Sequence, residues 1–394
     1  MLDFDFCSPT KIYFGEGKES LVGKIIKEYG FKKVLIHYGK TSVIKSGLLD
    51  LVKQRLDEEH IEYVIMGGVE ANPDVSLVRE GIILARNQNV DMILALGGGS
   101  VLDSSKAIAH GVFYDGDVLD ISKKIYVSKK ALPIGSIITI AAAGSELSTS
   151  CVISDRTTKF KSGFNSELNR PLFAIENPKL TYSLPRDQVG YGIVDIISHT
   201  FERYFNKSDD CQLSDYFAEG LIKDVIKASN ILLDKDFYDY DARSEIMLAS
   251  SLSHNGLTSL GKNSYMPIHQ LEHQLSGIKP FIPHGGGLAI LIPSWMEVCY
   301  KYDIDKFYKF AINVMEVKPN DDKEKAILES IRKLKDFFIK LGMPTSLNTY
   351  DISEDDIMYM VNNFSKNGTY TFPSNIPLNK ELSEKIYFNA LGGK

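Results

Sequence analysis

The sequence predicts an α/β protein: a parallel sheet covered by helices in the N-terminal half, and an all-helical C-terminal half. Two observations predict it. Short β-rich runs alternate with helix-length segments through the first half. From about Pro185 onward only helical periodicity remains. The predicted domains are therefore 1–185 and 186–394, and the interface between them is expected to form a cleft, where small-molecule sites tend to lie.

The strands are expected at 33–38, 61–67, 91–96, 134–140 and 172–176, with helices at 48–59, 75–87 and 101–110. In the second half helices are expected at 187–205, 215–232, 243–255, 268–275, 288–300, 322–341, 354–363 and 379–391. Ile327, Ile331, Leu334 and Phe338 show the three- and four-residue spacing of one buried face. Gly342-Met343-Pro344 is a strong stop after that helix.

Bulk properties narrow the class. Hydrophobic residues make up 44% of the 394 and charged ones 24%, which is ordinary globular composition. A net charge of −6, without a basic run, argues against a nucleic-acid partner. Cys7, Cys151, Cys211 and Cys299 form no Cys-x-x-Cys pair, which excludes a thiolate zinc knuckle and fits free thiols in a reducing compartment. The acidic start and the lack of an apolar stretch of about 18 residues predict a cytoplasmic protein with no membrane association.

The first chemical signal is Leu94-Ala95-Leu96-Gly97-Gly98-Gly99-Ser100, an apolar strand running through three glycines into a helix. Glycines permit close backbone approach, and a helix start presents free N–H groups, so the turn suits a pyrophosphate. Ser100 adds a hydroxyl. Leu102 breaks the usual dinucleotide fingerprint, and a tight turn without a ligand would read the same. Tyr38-Gly39-Lys40-Thr41-Ser42 follows the strand at 33–38. Lys40 stands where an acidic residue usually grips the adenosine ribose, which leans the choice toward NADP over NAD, although a solvated surface lysine fits too.

Histidines are scarce, eight in all, yet five fall between 199 and 284: His199, His254, His269, His273 and His284. Asp195 and His199 are four apart, on one face of an apolar helix, and so are His269 and His273. His284 sits in Pro283-His284-Gly285, at the mouth of the next helix. Asp195, His199, His269 and His284 make an oxygen–nitrogen ligand set suited to Fe²⁺ or Zn²⁺. Gln270 replaces the Glu of a His-Glu-x-x-His protease motif.

Together these residues resemble the iron-containing (group III) alcohol dehydrogenases, with the butanol dehydrogenase-like branch the nearest. The likeness runs from Pro9-Thr10-Lys11-Ile12-Tyr13-Phe14-Gly15 through Ala143-Gly144-Ser145-Glu146 to Pro283-His284-Gly285. It implies a Rossmann-like NAD(P) domain joined to a helical metal domain, in the dehydroquinate synthase-like architecture. It implies cofactor contacts at Gly39, Gly97, Gly98, Gly99, Ser100, Asp103, Thr139, Ser145, Lys161, Thr181 and Leu184, and Lys40 and Ser42 join them as candidates from the turn after the strand at 33–38. His273 is placed near the metal as a proton relay or substrate-lining residue, Asp103 is placed with it among the catalytic residues, and a homodimer through 11–14 is expected. Ala142-Ala143 replaces a frequent Thr, Ser148 a frequent Asn, and Lys40-Thr41 two glycines.

The chemistry so implied is hydride exchange between NAD(P)(H) and a small alcohol or aldehyde such as butanol or butyraldehyde. A glycerol dehydrogenase-like activity and a dehydroquinate synthase-like lyase are the alternatives. The lyase would need basic residues around a phosphorylated substrate, and Lys262 and Lys279 are the only lysines in 260–290.

Overall fold

A computed structural model describes residues 1–206 and 211–392. Two compact units form: Cys7–Leu184, and Met1–Phe6 together with Pro185–Lys394. The first six residues join the helical unit, where Leu2 N donates to the Gly261 carbonyl (2.9 Å).

The sheet unit runs β1 (Lys11–Phe14), α1 (Val22–Glu28), β2 (Lys33–Tyr38), α2 (Ser42–Lys45), α3 (Leu48–Glu58), β3 (Glu62–Met66), α4 (Val75–Gln88), β4 (Met92–Gly97), α5 (Gly99–Gly111), α6 (Leu119–Ser122), β5 (Ile134–Ile138), β6 (Ser150–Asp155), β7 (Phe160–Asn165) and β8 (Phe173–Glu176). Six strands form one parallel sheet in the order β1-β8-β5-β4-β2-β3. Successive strand residues point to opposite faces. Leu35 and Ile93 pack with Val78, Ile82 and Ile108 of α4 and α5. Val34, Ile36 and Leu94 pack with Ile26, Val52 and Leu56 of α1 and α3. This two-sided burial is why those strands read as apolar runs instead of alternating patterns.

Several elements lie outside the sequence prediction, among them helices α1, α2 and α6 and the strands β6 and β7. β6 and β7 form an antiparallel hairpin turning at 156–159, where Lys159 takes φ 53. It docks on the loop before α4 through Ser154 N to the Pro73 carbonyl (2.9 Å).

The helical unit holds α7 (Arg186–Tyr204), α8 (Gln212–Asp234), α9 (Tyr240–Ser253), α10 (Pro267–Ile278), α11 (His284–Cys299), α12 (Ile304–Asn313), α13 (Lys323–Lys340), α14 (Glu354–Phe364) and α15 (Lys380–Gly392). Among the described residues no helix is long and apolar enough to cross a membrane. α7 and α11 are buried along almost their whole length. Polar side chains on them therefore need partners inside the protein.

Candidate metal centre and glycine turn

In the helical unit, α7 carries Asp195 and His199 one turn apart, α10 carries His269, and α11 opens with His284. The three glycines after His284 let these helices meet. A Cβ at Gly285 would overlap the Tyr191 carbonyl of α7, one at Gly286 the Tyr350 hydroxyl, and one at Gly287 would lie 2.9 Å from Glu272 Cγ of α10. The Pro-His-Gly-Gly-Gly stretch is thus a packing device as well as a helix start.

Donor atoms of Asp195, His199 and His269 lie within 4.8 Å of one another, all buried. His284 Nε2 is 3.9 Å from Asp195 Oδ1, and His269 Nε2 is 3.7 Å from it. All five histidines between 199 and 284 form one row of rings. Centroids step 4.1 Å from His254 to His199, 4.4 Å to His269, 5.2 Å to His284 and 5.9 Å to His273.

The outer nitrogens of the ligand histidines follow one pattern. His199 Nδ1 meets the Asp195 carbonyl (3.0 Å), His269 Nδ1 meets Glu202, and His284 Nδ1 meets Glu272. An Nδ1–H bound in this way leaves Nε2 with its lone pair, the form a metal takes. Glu202 is itself fixed by the Ile268 N–H (2.5 Å). Two buried atoms, Asp195 Oδ1 and His269 Nε2, have no hydrogen bond of good geometry, with His199 Nδ1 shared between the Asp195 carbonyl and Oδ1 (3.1 Å). Such orphans are costly unless an ion satisfies them, so the residues present fit a divalent cation.

Electrostatics at Asp195 and His199 support this. Burial alone would raise the Asp195 carboxyl, but His199, His269 and His284 hold it well below the usual range. Burial lowers His199 to about 4 against the pull of Asp195, keeping the ring neutral. Burial works against His269 too, yet Glu202 and Asp195 raise it to about 9, so a cation at Nε2 would take the place of a proton. Glu202 and Glu272 are the residues that sequence reasoning missed. Both stand in polar positions on buried helices, a signal that pointed to partners but not to which histidine each would face.

In the sheet unit, β4 runs through Gly97 and Gly98 into α5. The Val101 and Leu102 N–H groups bond the Gly98 carbonyl (3.0 and 3.1 Å). A Cβ at Gly98 would come 3.1 Å from Ile140, and one at Gly99 3.1 Å from Ala143. The loop after β5 therefore closes against the turn, with Thr139 N on the Gly97 carbonyl (3.1 Å). Gly39 is tied in alongside, because a Cβ there would be 4.0 Å from Val101. Gly39, Gly97, Gly98, Gly99, Ser100, Asp103, Thr139 and Ser145 are thereby gathered at the carboxyl ends of β2, β4 and β5. Thr181 and Leu184 come after β8, a strand that lies two places from β4, roughly 10 Å across the sheet. The Thr181 hydroxyl bonds the Pro178 carbonyl (2.7 Å). Ser42 opens α2. Lys161 lies on β7, with its charge acting on Asp103. The Lys40 ammonium pairs with Glu70 at 2.7 Å.

Asp103 has both oxygens in use. Oδ1 accepts from the Ser145 hydroxyl (2.9 Å) and Oδ2 from Val152 N (3.1 Å). Beside it Lys106, fully enclosed, donates to the Ser145 carbonyl (2.7 Å), Ser145 Oγ (2.8 Å), the Ser150 carbonyl (2.8 Å) and the Ser148 carbonyl (3.3 Å).

Comparison with known proteins finds relatives along nearly the whole chain. Residues 9–178 match the family model described as iron-containing alcohol dehydrogenase, and residues 190–391 match the C-terminal model of the Fe-containing alcohol dehydrogenase family. The chain is 41% identical over 388 residues to NADH-dependent butanol dehydrogenase A of Clostridium acetobutylicum, covering 98% of this chain and 99% of that one. It is 34% identical to the NADPH-dependent aldehyde reductase YqhD of Escherichia coli, covering 98% and 99%. The crystal structure of NADH-dependent butanol dehydrogenase A from Thermotoga maritima superposes with a TM-score of 0.94 at 36% identity, covering 100% and 99%.

Proposed function

The chain belongs to the iron-containing alcohol dehydrogenase family, and we propose that it interconverts a small primary alcohol and its aldehyde, such as butanol and butyraldehyde. It is a metal-dependent alcohol dehydrogenase/aldehyde reductase that works with NAD(P)(H). The observation that carries the metal assignment is the pair of buried orphan atoms, Asp195 Oδ1 and His269 Nε2.

Asp195, His199, His269 and His284 would hold the ion, Fe²⁺ or Zn²⁺. When bound, the metal supplies Lewis acidity at the substrate oxygen and the nicotinamide carries the hydride. The chain's own residues do the rest. Glu202 and Glu272 keep His269 and His284 in the ligating tautomer. Burial keeps water from Asp195, His199 and His269, while His284 stays partly open. His273, at the end of the ring row, is suited to move the substrate's hydroxyl proton. Gly97, Gly98, Gly99, Ser100 and Thr139 would cradle the dinucleotide. Asp103, with both oxygens engaged, is a positioning residue for Ser145 and not a proton carrier. A homodimer is also proposed, because β1 lies at the sheet edge with one side unpaired among the described strands, a natural pairing surface.

The test follows absorbance of the reduced nicotinamide with butyraldehyde, for metal-loaded and metal-stripped protein. Oxidation that needs the metal supports the reading. Equal rates in both would remove the metal from the chemistry, and no oxidation of either NADH or NADPH would remove the activity. His273→Ala should lower turnover with metal content unchanged. Unaltered turnover across pH would end the proton-relay role.

A further inference from the structure

We propose that Glu70 sets the choice between the two nicotinamide cofactors: its carboxylate withholds Lys40 and Arg156 from a 2′-phosphate and offers an acceptor to a free 2′-hydroxyl. The proposal rests on the reading that the sheet unit binds NAD(P)(H).

The location follows from topology. β2 leads to β3 on one side, while β4 pairs with the other side of β2. Strand order therefore reverses between β2 and β4, and doubly wound sheets bind ligands at such a reversal, outside the carboxyl ends of the strands. Lys40 follows β2 by two residues and Glu70 follows β3 by four. The two loops are laced together by Gly68 N on the Gly39 carbonyl (2.7 Å) and Val69 N on the Tyr38 carbonyl (3.3 Å). The glycine turn lies next to them through Val101 and Gly39. An acidic side chain at this end of the sheet is what grips an adenosine ribose in such folds. Lys40 occupies the usual position after β2, and Glu70 reaches the same place from the neighbouring loop.

Arg156 arrives from elsewhere in the chain. The β6–β7 hairpin presents it at its turn, where Arg156 N donates to Asp74 (3.2 Å). One oxygen of Glu70 takes Lys40 (2.7 Å) and the other takes Arg156 (2.8 Å). Hydrogen bonds from these two cations, Lys40 first, hold the Glu70 carboxyl at about 2, so it is charged at any working pH.

The three side chains are solvent-exposed, Lys40 the most at 64%. Exposed ion pairs contribute little to stability, so the cluster is poorly explained as a clamp for the hairpin. It is well placed as a charge filter. A 2′-phosphate brings close to two negative charges and would meet Glu70 as a like charge. Replacing Glu70 with Gln removes that repulsion and leaves the two cations available to the phosphate.

The experiment titrates metal-loaded wild-type, Glu70→Gln and Glu70→Gln/Lys40→Ala proteins with NADH and with NADPH, reading bound nicotinamide fluorescence, and repeats the comparison in kcat/KM. The wild type should favour NADH. Glu70→Gln should weaken NADH and tighten NADPH, moving the ratio about tenfold or more toward NADPH. Lys40→Ala added to that variant should take back much of the NADPH gain. A ratio that moves less than about twofold in Glu70→Gln overturns the assignment. So does an equal change for both cofactors with a lower Tm, which is what a structural clamp would give. Binding of neither cofactor to the wild type would sink the dinucleotide reading and this assignment with it, whereas an unmoved ratio with both bound sinks this assignment alone.

Discussion

Two aspartates, one in each unit, are treated in opposite ways. Asp195 in the helical unit is buried with an oxygen that accepts no hydrogen bond of good geometry, surrounded by three imidazoles. Asp103 in the sheet unit has a hydroxyl on one oxygen and a backbone N–H on the other. The first is an unmet valence waiting for a cation. The second is the end of a brace that runs through Ser145 to Lys106. The difference teaches how to separate a ligand site from scaffolding when both are built from the same residue type: the ligand site keeps an atom unsatisfied, at a cost to stability, and the scaffold does not.

The largest effect expected from this contrast is on metal content. Asp195→Asn and His269→Ala should each lower metal affinity by more than about 100-fold, beyond what losing an outer partner costs. Asp103→Asn should keep full metal. Elemental analysis of purified, dialysed protein checks it. Full metal in both helical-unit variants, or equal loss in Asp103→Asn, would break the comparison.

The next effect sharpens the helical side alone. Glu202→Gln and Glu272→Gln leave the ligands in place but remove the charge that orients them, so affinity should drop about 10- to 100-fold with the fold intact. Competitive chelator titration measures it, and circular dichroism confirms the helices. A drop of less than about threefold would mean that the short contacts to His269 and His284 are incidental.

On the sheet side the corresponding change is Ser145→Ala. It removes the hydroxyl between Lys106 and Asp103, leaves metal untouched, and should cost about 1–2 kcal/mol of stability. Cofactor affinity should fall with it, because the Ser145 loop lies against Gly99. Denaturant unfolding and cofactor titration together test this. A stability loss with unchanged cofactor binding would confine the brace to folding.

What was legible in the sequence divides along the same line. Local periodicity carried the strands, most helices, and the i,i+4 pairs Asp195/His199 and His269/His273. The glycine turn was legible because strand, glycines and helix are contiguous. Long-range facts were not. Glu202 and His269 are 67 residues apart, and nothing in either segment says that they meet. Lys40 read as a free cation because its partner Glu70 lies 30 residues on, beyond a helix and a strand. The β6–β7 hairpin went unread because its strands mix polar with apolar residues, as in Ser150-Cys151-Val152-Ile153-Ser154-Asp155, so they lack the apolar run that marked the central strands. His284 was expected at a helix mouth and is the first residue of α11, but the reason for the glycines behind it, the neighbours they admit, belongs to three different elements.

The remaining expected effect concerns protons, and here the two units can be told apart within one molecule. In the sheet unit His37 is enclosed between the Met66 carbonyl (2.9 Å) and Ser104 Oγ (2.8 Å), and burial pushes it down to about 4. Burial likewise lowers His110 to about 4, against its bond to Asn169. Both are neutral in the folded state, and an unfolded histidine titrates near 6.5. Between 6.5 and 4 the unfolded chain binds the extra protons, so stability is flat above neutral pH, falls as pH drops through that window, and levels below 4. At pH 5.5 the loss is about 1 kcal/mol for each histidine, rising to about 3 kcal/mol near pH 4. The helical unit also weakens in acid, but for a different reason, since protons compete with the metal for its imidazoles. Urea midpoints at pH 7.5 and 5.5, with amide exchange read on β2 and β4, separate the two. Excess metal should restore the helical unit and leave the loss in β2 and β4 in place, while His37→Gln should remove part of the pH dependence there. Equal protection of β2 and β4 at both pH values would mean that these rings reach water more easily than their enclosure implies.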